Sequence, residues 1–218
     1  MQVEELAEGV ARLALMPRDG VNAYLLGDVL VDAGYPRHGA AILRALDGRD
    51  VTAHALTHAH PDHAGGSRTV VERLGVPLWV GARDRAACEA GSAEAATGVR
   101  GKLGAFPKVA VDRDLHEGDD LAAGFTVLDA PGHSSGHVAF WREADRTLVA
   151  GDVFFNLSLL TLRHGLRDPP GLVTIDPAEN RRSQRKLADL DPELVLLGHG
   201  PPVRGRGALD AYLRTRGR

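Results

Sequence analysis

Residues 57–66 read THAHPDHAGG. Positions 58 to 63 hold three histidines, His58, His60 and His63, and one carboxylate, Asp62. A solvated loop tolerates such residues singly, but all four together are the residue types that bind metal. His58 and His60 are two apart, so in an extended stretch their side chains point the same way and can grip one ion. Pro61 breaks the extended path and lets Asp62 and His63 turn towards a second ion beside the first.

The stretch follows VTAHAL (51–56), a strand candidate, and the same kind of ending recurs further along the chain. FTVLDA (125–130) runs into PGHSSGH, which carries His133 and His137. TLVA (147–150) runs into Gly151-Asp152, and ELVLL (193–197) into Gly198-His199-Gly200. Loops at strand ends, carried on a rigid sheet, are where functional groups usually lie. Glycine beside the polar residue lets the backbone turn sharply and approach an ion. Imidazole suits zinc, iron and similar ions, and a carboxylate with two oxygens, such as Asp152, can bridge two of them. Paired ions about 3.5–4 Å apart are the usual arrangement in two-metal hydrolases.

Working outward, VARLALM (10–16), VNAYLLG (21–27), VLVDAGY (29–35), VPLWVG (76–81) and HVAFW (137–141) read as strands bounded by turn residues. HGAAILRALD (38–47) and GGSRTVVERLG (65–75) have helical spacing. Asp176-Pro177-Ala178-Glu179 reads as an N-cap, a first-turn proline and a capping-box glutamate opening a helix to about Leu190. Residues 91–106 are small and glycine-rich, which predicts a surface loop. With no linker or tandem repeat, the expectation is one mixed α/β domain over residues 1–218.

Composition narrows the function classes. The chain has 218 residues, 44% hydrophobic and 25% charged, with net charge −3. That balance points away from nucleic acid and anionic membrane partners, and the arginines from Arg204 to Arg218 read as a solvated tail with a short amphipathic helix. The single cysteine, Cys88, allows no intrachain disulfide, as in a reducing compartment. No apolar run approaches the ~20 residues needed to span a bilayer. The start, MQVEELAEG, is acidic where a signal peptide is basic. A cytoplasmic protein acting on a small molecule is the expectation, with the oligomeric state open.

THAHPDH, PGHSSGH, the GD at 151–152 and the GHG at 198–200 together resemble the metallo-β-lactamase superfamily of hydrolases, in order along nearly the whole chain. The resemblance implies a four-layer αββα sandwich with a dinuclear site at one edge. It assigns His58, His60 and His133 to the first metal and Asp62, His63 and His199 to the second, with Asp152 bridging. The implied cofactor is two divalent ions per chain, zinc first, with iron or manganese as alternatives. The implied chemistry is hydroxide held by the metal pair attacking an ester, thioester or lactone carbonyl, with Asp62 and Asp152 accepting or relaying its proton.

Departures from particular branches refine this. In the zinc β-lactamases an aspartate at the bridging position is not part of the metal set, so Asp152 argues against that activity. Signal-quenching lactonases carry a tyrosine shortly after this aspartate, whereas Val153, Phe154 and Phe155 stand here. Glyoxalase II and the persulfide dioxygenases continue into a glycine-cysteine-glycine-arginine stretch, whereas this chain has FFNLSLLTLRHGL (154–166). The RNA-processing nucleases carry extra modules that this length does not accommodate. What remains is a glyoxalase II-like hydrolase whose substrate has a hydrophobic part, with Phe155 and His164 as candidate substrate contacts within a pocket wall formed by residues 153–172. His137 is either a group orienting a ligand or a strand residue. His38, His54 and His116 read as surface or packing residues. Two alternatives stay open: a mononuclear iron oxygenase using His58, His133 and Asp152, and a non-catalytic metal-binding domain.

Overall fold

The structure is a computed structural model that describes residues 1, 3–94 and 104–216. Most of the 91–106 segment and the terminal Arg218 therefore lie outside the described residues.

The first seven strands form one sheet in sequence order: β1 (Val3–Ala7), β2 (Val10–Ala14), β3 (Asn22–Leu26), β4 (Val29–Val31), β5 (Ala53–Ala55), β6 (Leu78–Gly81) and β7 (Arg113–Leu115). β1 to β4 form an antiparallel meander. From β4 onward the neighbours are parallel, and each crossover carries helix: α1 (Gly39–Ala45), then α2 (Pro61–Ala64) with α3 (Ser67–Leu74), then α4 (Arg85–Ala90). The second sheet runs β14 (Val203–Arg204), β13 (Leu194–Leu197), β10 (Thr147–Gly151), β9 (Val138–Arg142), β8 (Thr126–Asp129). A small ribbon pairs β11 (Phe155–Leu157) with β12 (His164–Arg167), and α5 (Pro177–Asp189) and α6 (Ala208–Thr215) complete the described elements.

Alternation along the strands makes the layers. Val138 and Phe140 of β9, Val149 of β10, and Leu194 and Leu196 of β13 face Tyr24, Leu26, Val29 and Val31 of the first sheet. Their neighbours Ala139, Trp141, Leu148, Ala150, Val195 and Leu197 face the opposite way, onto Leu187 of α5 and Leu209 of α6. On the far side, Leu13, Leu25 and Leu30 pack against Ile42 of α1 and Val70 of α3, while Leu78 and Val80 cover Cys88 of α4. Helix, sheet, sheet, helix is the αββα sandwich. Because central strands are covered on both faces, they read in sequence as unbroken apolar runs.

The sheets are stitched together at one edge. Asn22 N–H donates to Gly198 O at 2.9 Å, the Tyr24 hydroxyl donates to Leu197 O at 2.7 Å, and Val138 N–H donates to Thr57 O at 2.9 Å. β9 is antiparallel to both β8 and β10, and β10 is parallel to β13. Hence β8, β10 and β13 all end at the same edge of their sheet, where β5 also ends.

The N-cap expected at Asp176 forms, its carboxylate accepting from Ala178 N–H and Glu179 N–H, both at 2.9 Å. Glu179 does not close a capping box. The Asp176 N–H that it would take already donates to Gly132 O at 2.9 Å, and Glu179 accepts from Arg182 instead.

That contact presses residue 132 against α5. Gly132 has φ +129°, and a Cβ there would lie 2.1 Å from Asn180 N and 2.4 Å from Asn180 Cα. Both clashes are with backbone, so no rotamer change relieves them. Gly132→Ala is expected to cost about 2–4 kcal/mol through strain and overpacking. In a thermal melt this reads as a Tm lower by roughly 5–15 °C, and an unchanged Tm would show that the loop stands clear of α5.

Candidate metal centre

Each strand end delivers its side chains by a local device. After β5 the chain bends at Thr57 and is extended at His60, and Pro61 at the first helical position then starts α2, which turns Asp62 and His63 inward. The 131–137 loop after β8 carries His133. β10 ends in a register shift between Val149 and Gly151, which aims Asp152 out of the sheet. β13 ends at Gly198, where a Cβ would stand 2.1 Å from Asp152 Oδ1, so only glycine lets β13 pass so close.

Three groups of donor atoms converge, each within 4.8 Å: His58, His60 and His133; His58, His63 and Asp152; Asp62, His63 and His199. Asp152 Oδ2 is their centre. It lies 3.8 Å from His58 Nε2, 3.4 Å from His63 Nε2, 3.4 Å from His133 Nε2 and 3.2 Å from His199 Nε2. Asp62 Oδ2 stands 3.3 Å from His199 Nε2. The His58–Asp152 spacing is too long for a hydrogen bond, and His58 Nε2, His63 Nε2, His133 Nε2 and Asp152 Oδ1 are buried without partners.

The outward nitrogens explain why the inward ones are free. Thr57 Oγ1 donates its single hydrogen to Asp32 Oδ2 at 2.8 Å, so towards His58 Nδ1, 3.1 Å away, it can only accept. Thr174 Oγ1 donates to Pro170 O at 3.0 Å and therefore accepts from His133 Nδ1 at 3.2 Å. His63 Nδ1 donates to Asp32 Oδ2 at 2.8 Å, and His199 Nδ1 to Gly20 O at 2.6 Å. Four imidazoles thus carry hydrogen on Nδ1 and direct Nε2 at the centre, the orientation that metal-bound histidines adopt. Orphaned Nε2 atoms around unpaired carboxylate oxygen are a donor set that fits divalent cations.

His137 has the opposite polarity. Its Nε2 accepts from Asp152 N–H at 3.0 Å, so its hydrogen sits on Nδ1, and its ring stacks on His58 at 4.9 Å. It holds Asp152 in place and offers no lone pair to the centre.

The electrostatics sort the metal-free cluster. Burial opposes charge on His63 and His199, but the carboxylates outweigh it: Asp152 and Asp32 hold His63 well above its usual range, and Asp152 and Asp62 push His199 up to about 10. Burial would raise Asp152 and Asp62, yet the cationic histidines hold both below the usual carboxylate range. Burial leaves His58 neutral, and pushes His60 down to about 3. Cations that take these donors displace the protons of His63 and His199.

The centre floors a cleft of about 490 Å³, also lined by Tyr35, Phe155, Leu159, Leu172, Val173 and Ile175. Phe155 lies over His199, ring centroids 4.2 Å apart. Phe154 points the other way, into the core under α6. His164 opens β12 outside the cleft lining, exposed, with Nε2 3.4 Å from Arg18 O. His54 is a packing residue, bridging Leu30 O and Ser67 Oγ.

Residues 16–199 match the family model described as the metallo-beta-lactamase superfamily. The chain belongs to that superfamily. Among its relatives, "Probable metallo-hydrolase YflN" of Bacillus subtilis is 30% identical over 203 residues, covering 82% of this chain and 77% of that one. A hydroxyacylglutathione hydrolase of Bdellovibrio bacteriovorus is 30% identical over 140 residues, 63% of this chain and 47% of that one. The crystal structure of TTHA1623 in a di-iron-bound form superposes with TM-score 0.67 at 34% identity, covering 93% and 96% of the two chains. No helix among the described residues is long and apolar enough to cross a membrane.

The pattern of strand endings missed Asp32, although VLVDAG (29–34) ends the same way: an apolar run, an aspartate, a nearby glycine. Thr174, Tyr35 and Asp84 had no comparable signal. Asp84 is buried and joins two ligand loops, accepting from Ala59 N–H at 2.8 Å, Ser134 Oγ–H at 2.8 Å and Gly136 N–H at 2.9 Å. Asp84→Ala strands three buried donors and is expected to cost about 3 kcal/mol or more. The spacing of His58 and His60 from His133 should loosen with it. Denaturant melts and metal content by elemental analysis check this, and normal values for both would make Asp84 a bystander.

Proposed function

We propose that this chain is a metal-dependent hydrolase of ester, thioester or lactone bonds in a small-molecule substrate. The observation that supports it most is the convergence of four Nε2 atoms, three of them partnerless, on Asp152. In this reading His58, His60 and His133 would hold one divalent cation and Asp62, His63 and His199 the second, with Asp152 available to both. When bound, the pair supplies Lewis acidity that lowers the pKa of a water towards neutrality and polarises a carbonyl.

The chain's own groups do the rest. Asp62 and Asp152 place negative charge at the reacting centre and accept a proton there. His137 fixes Asp152 through its amide. Tyr35 lines the cleft, and burial together with the nearby Asp62 raises its pKa, so its hydroxyl stays protonated and available as a donor to substrate. Phe155 covers one side of His199 and keeps water from that face. The donor set suits zinc, and accepts iron or manganese as well.

A screen of esters, thioesters, lactones and phosphodiesters against zinc, iron and manganese forms tests the activity. About two metal ions per chain are expected in fully loaded protein, because seven ligand-type residues exceed what one ion takes. A firm ratio of one in every form would favour a single-metal centre. Asp152→Ala is expected to lower kcat on the order of 10³-fold and weaken retention of one metal. Near-normal kcat with both metals retained would reduce Asp152 to a turn residue.

A further inference from the structure

Of the eight large apolar side chains exposed among the described residues, six lie between positions 159 and 175. Four of them, Leu159, Leu172, Val173 and Ile175, line the cleft above the metal centre. Exposed apolar surface gathered beside a polar centre marks a ligand groove more often than chance surface. The wall is also held in shape. Thr174 sits between Val173 and Ile175 with its hydroxyl turned inward to His133 and Pro170 O. Val173 N–H donates to Pro170 O at 3.1 Å, and Ile175 N–H to His133 O at 3.3 Å. On the facing turn, Leu162 N–H donates to Ser158 O at 2.8 Å, and Ser158 N–H to Arg163 O at 2.9 Å.

The lining has two characters. The rings of Phe155 and Tyr35 stand with the histidines and aspartates of the centre, while Leu159, Leu172, Val173 and Ile175 form an aliphatic wall. The lining also carries the Glu94 carboxylate, which disfavours an anionic substrate group beside it. An aliphatic slot that starts at a carbonyl-activating centre matches an alkyl chain.

We propose that Leu159, Leu172, Val173 and Ile175 form an acyl-chain subsite, and that the substrate is an ester or thioester of an unbranched, uncharged, medium-length fatty acid whose carbonyl sits at the histidine–aspartate centre. This rests on the hydrolase reading above. In the hydrolysis, the acyl C–O or C–S bond breaks, water supplies the new C–O bond, and the leaving alcohol or thiol takes the proton. No oxidant or reductant is involved.

The test is kcat/KM of the metal-loaded enzyme along a series of p-nitrophenyl esters from acetyl through butyryl, hexanoyl, octanoyl and decanoyl. Each methylene that enters the groove should raise kcat/KM by about two- to fourfold. The double variant L159S/L172S should lower the decanoyl-to-acetyl ratio by roughly tenfold. A flat or falling series in the wild type, or the same ratio in the variant, overturns the subsite.

A second measurement separates the subsite from the reaction. Binding of dansyl-undecanoate to metal-free protein, displaced by decanoate and not by acetate, should weaken in L159S/L172S. Such binding with no turnover of any ester would uphold the subsite and overturn the hydrolase reading. Turnover without chain binding would do the reverse. The competing occupant is a second copy of the chain. A dimer by sedimentation that L159S/L172S dissociates, with the chain-length series unaffected, also overturns the proposal.

Discussion

Burying imidazole nitrogens without partners is unfavourable, and this chain does so at His58, His63 and His133 within one small volume. Cations bound to the two donor groups His58–His60–His133 and Asp62–His63–His199 would satisfy all three. The surroundings are arranged around that requirement. Thr57, Thr174, Asp32 and Gly20 O each take an Nδ1 hydrogen, which leaves no tautomer in which Nε2 could donate instead while the ring stays neutral. The acceptors come from segments far apart in sequence, so the fold must be complete before the rings are oriented. Metal affinity and folding are linked for that reason.

Two carboxylates that touch no substrate carry much of this order. Asp32 receives Thr57 N–H, the Thr57 hydroxyl and His63 Nδ1, tying the end of β4 to the loop after β5 within the first sheet. Asp84 joins that same loop to the 131–137 loop of the second sheet. Burial raises the Asp84 pKa even though three donors favour its charge, so desolvation wins there. Between them these carboxylates set the distance across which His58 and His60 face His133. These ties add to the hydrogen bonds from Asn22, Tyr24 and Val138 that already join the two sheets at this edge.

Much of this was legible in the chain. The core strands β2, β3, β6, β9, β10 and β13 are marked by apolar runs, and the ends of β5, β8, β10 and β13 by histidine or aspartate near glycine or proline. These signals are local, so a single sequence displays them. β1 was missed because its residues are half or fully exposed and its two adjacent glutamates, Glu4 and Glu5, break the alternation. β11 and β12 were missed because their pairing depends on a turn with no glycine signal. Asp84 was invisible for a different reason: its partners lie 25 to 52 positions away, and nothing in GARDRAA announces them. The apolar wall was partly foreseen. Phe155, Leu159 and Leu172 reach the cleft, but alternation sends Phe154 into the helix-side core, and Val173 and Ile175 join from beyond the expected 153–172 segment.

The same contrast divides the labour of the molecule. The candidate donors for metal sit just past the ends of β5, β8, β10 and β13, or on the one-turn helix that Pro61 starts, where the two sheets meet. The apolar cleft wall sits on turns that hold themselves by their own backbone hydrogen bonds and touch the core mainly through Thr174 and His133. Changes at Leu159 or Leu172 therefore meet little resistance from the core, whereas a change at Gly132 or Asp84 propagates into both sheets. In the proposed reading, chemistry is carried by the part of the fold packed between the sheets, and substrate choice by the turns outside it. Thr174 is where the two meet: its hydroxyl orients a ligand histidine while its neighbours on either side face the substrate cleft. Repacking of the wall that moved Thr174 would alter the centre as well, so tolerance of the wall to substitution should end at that residue.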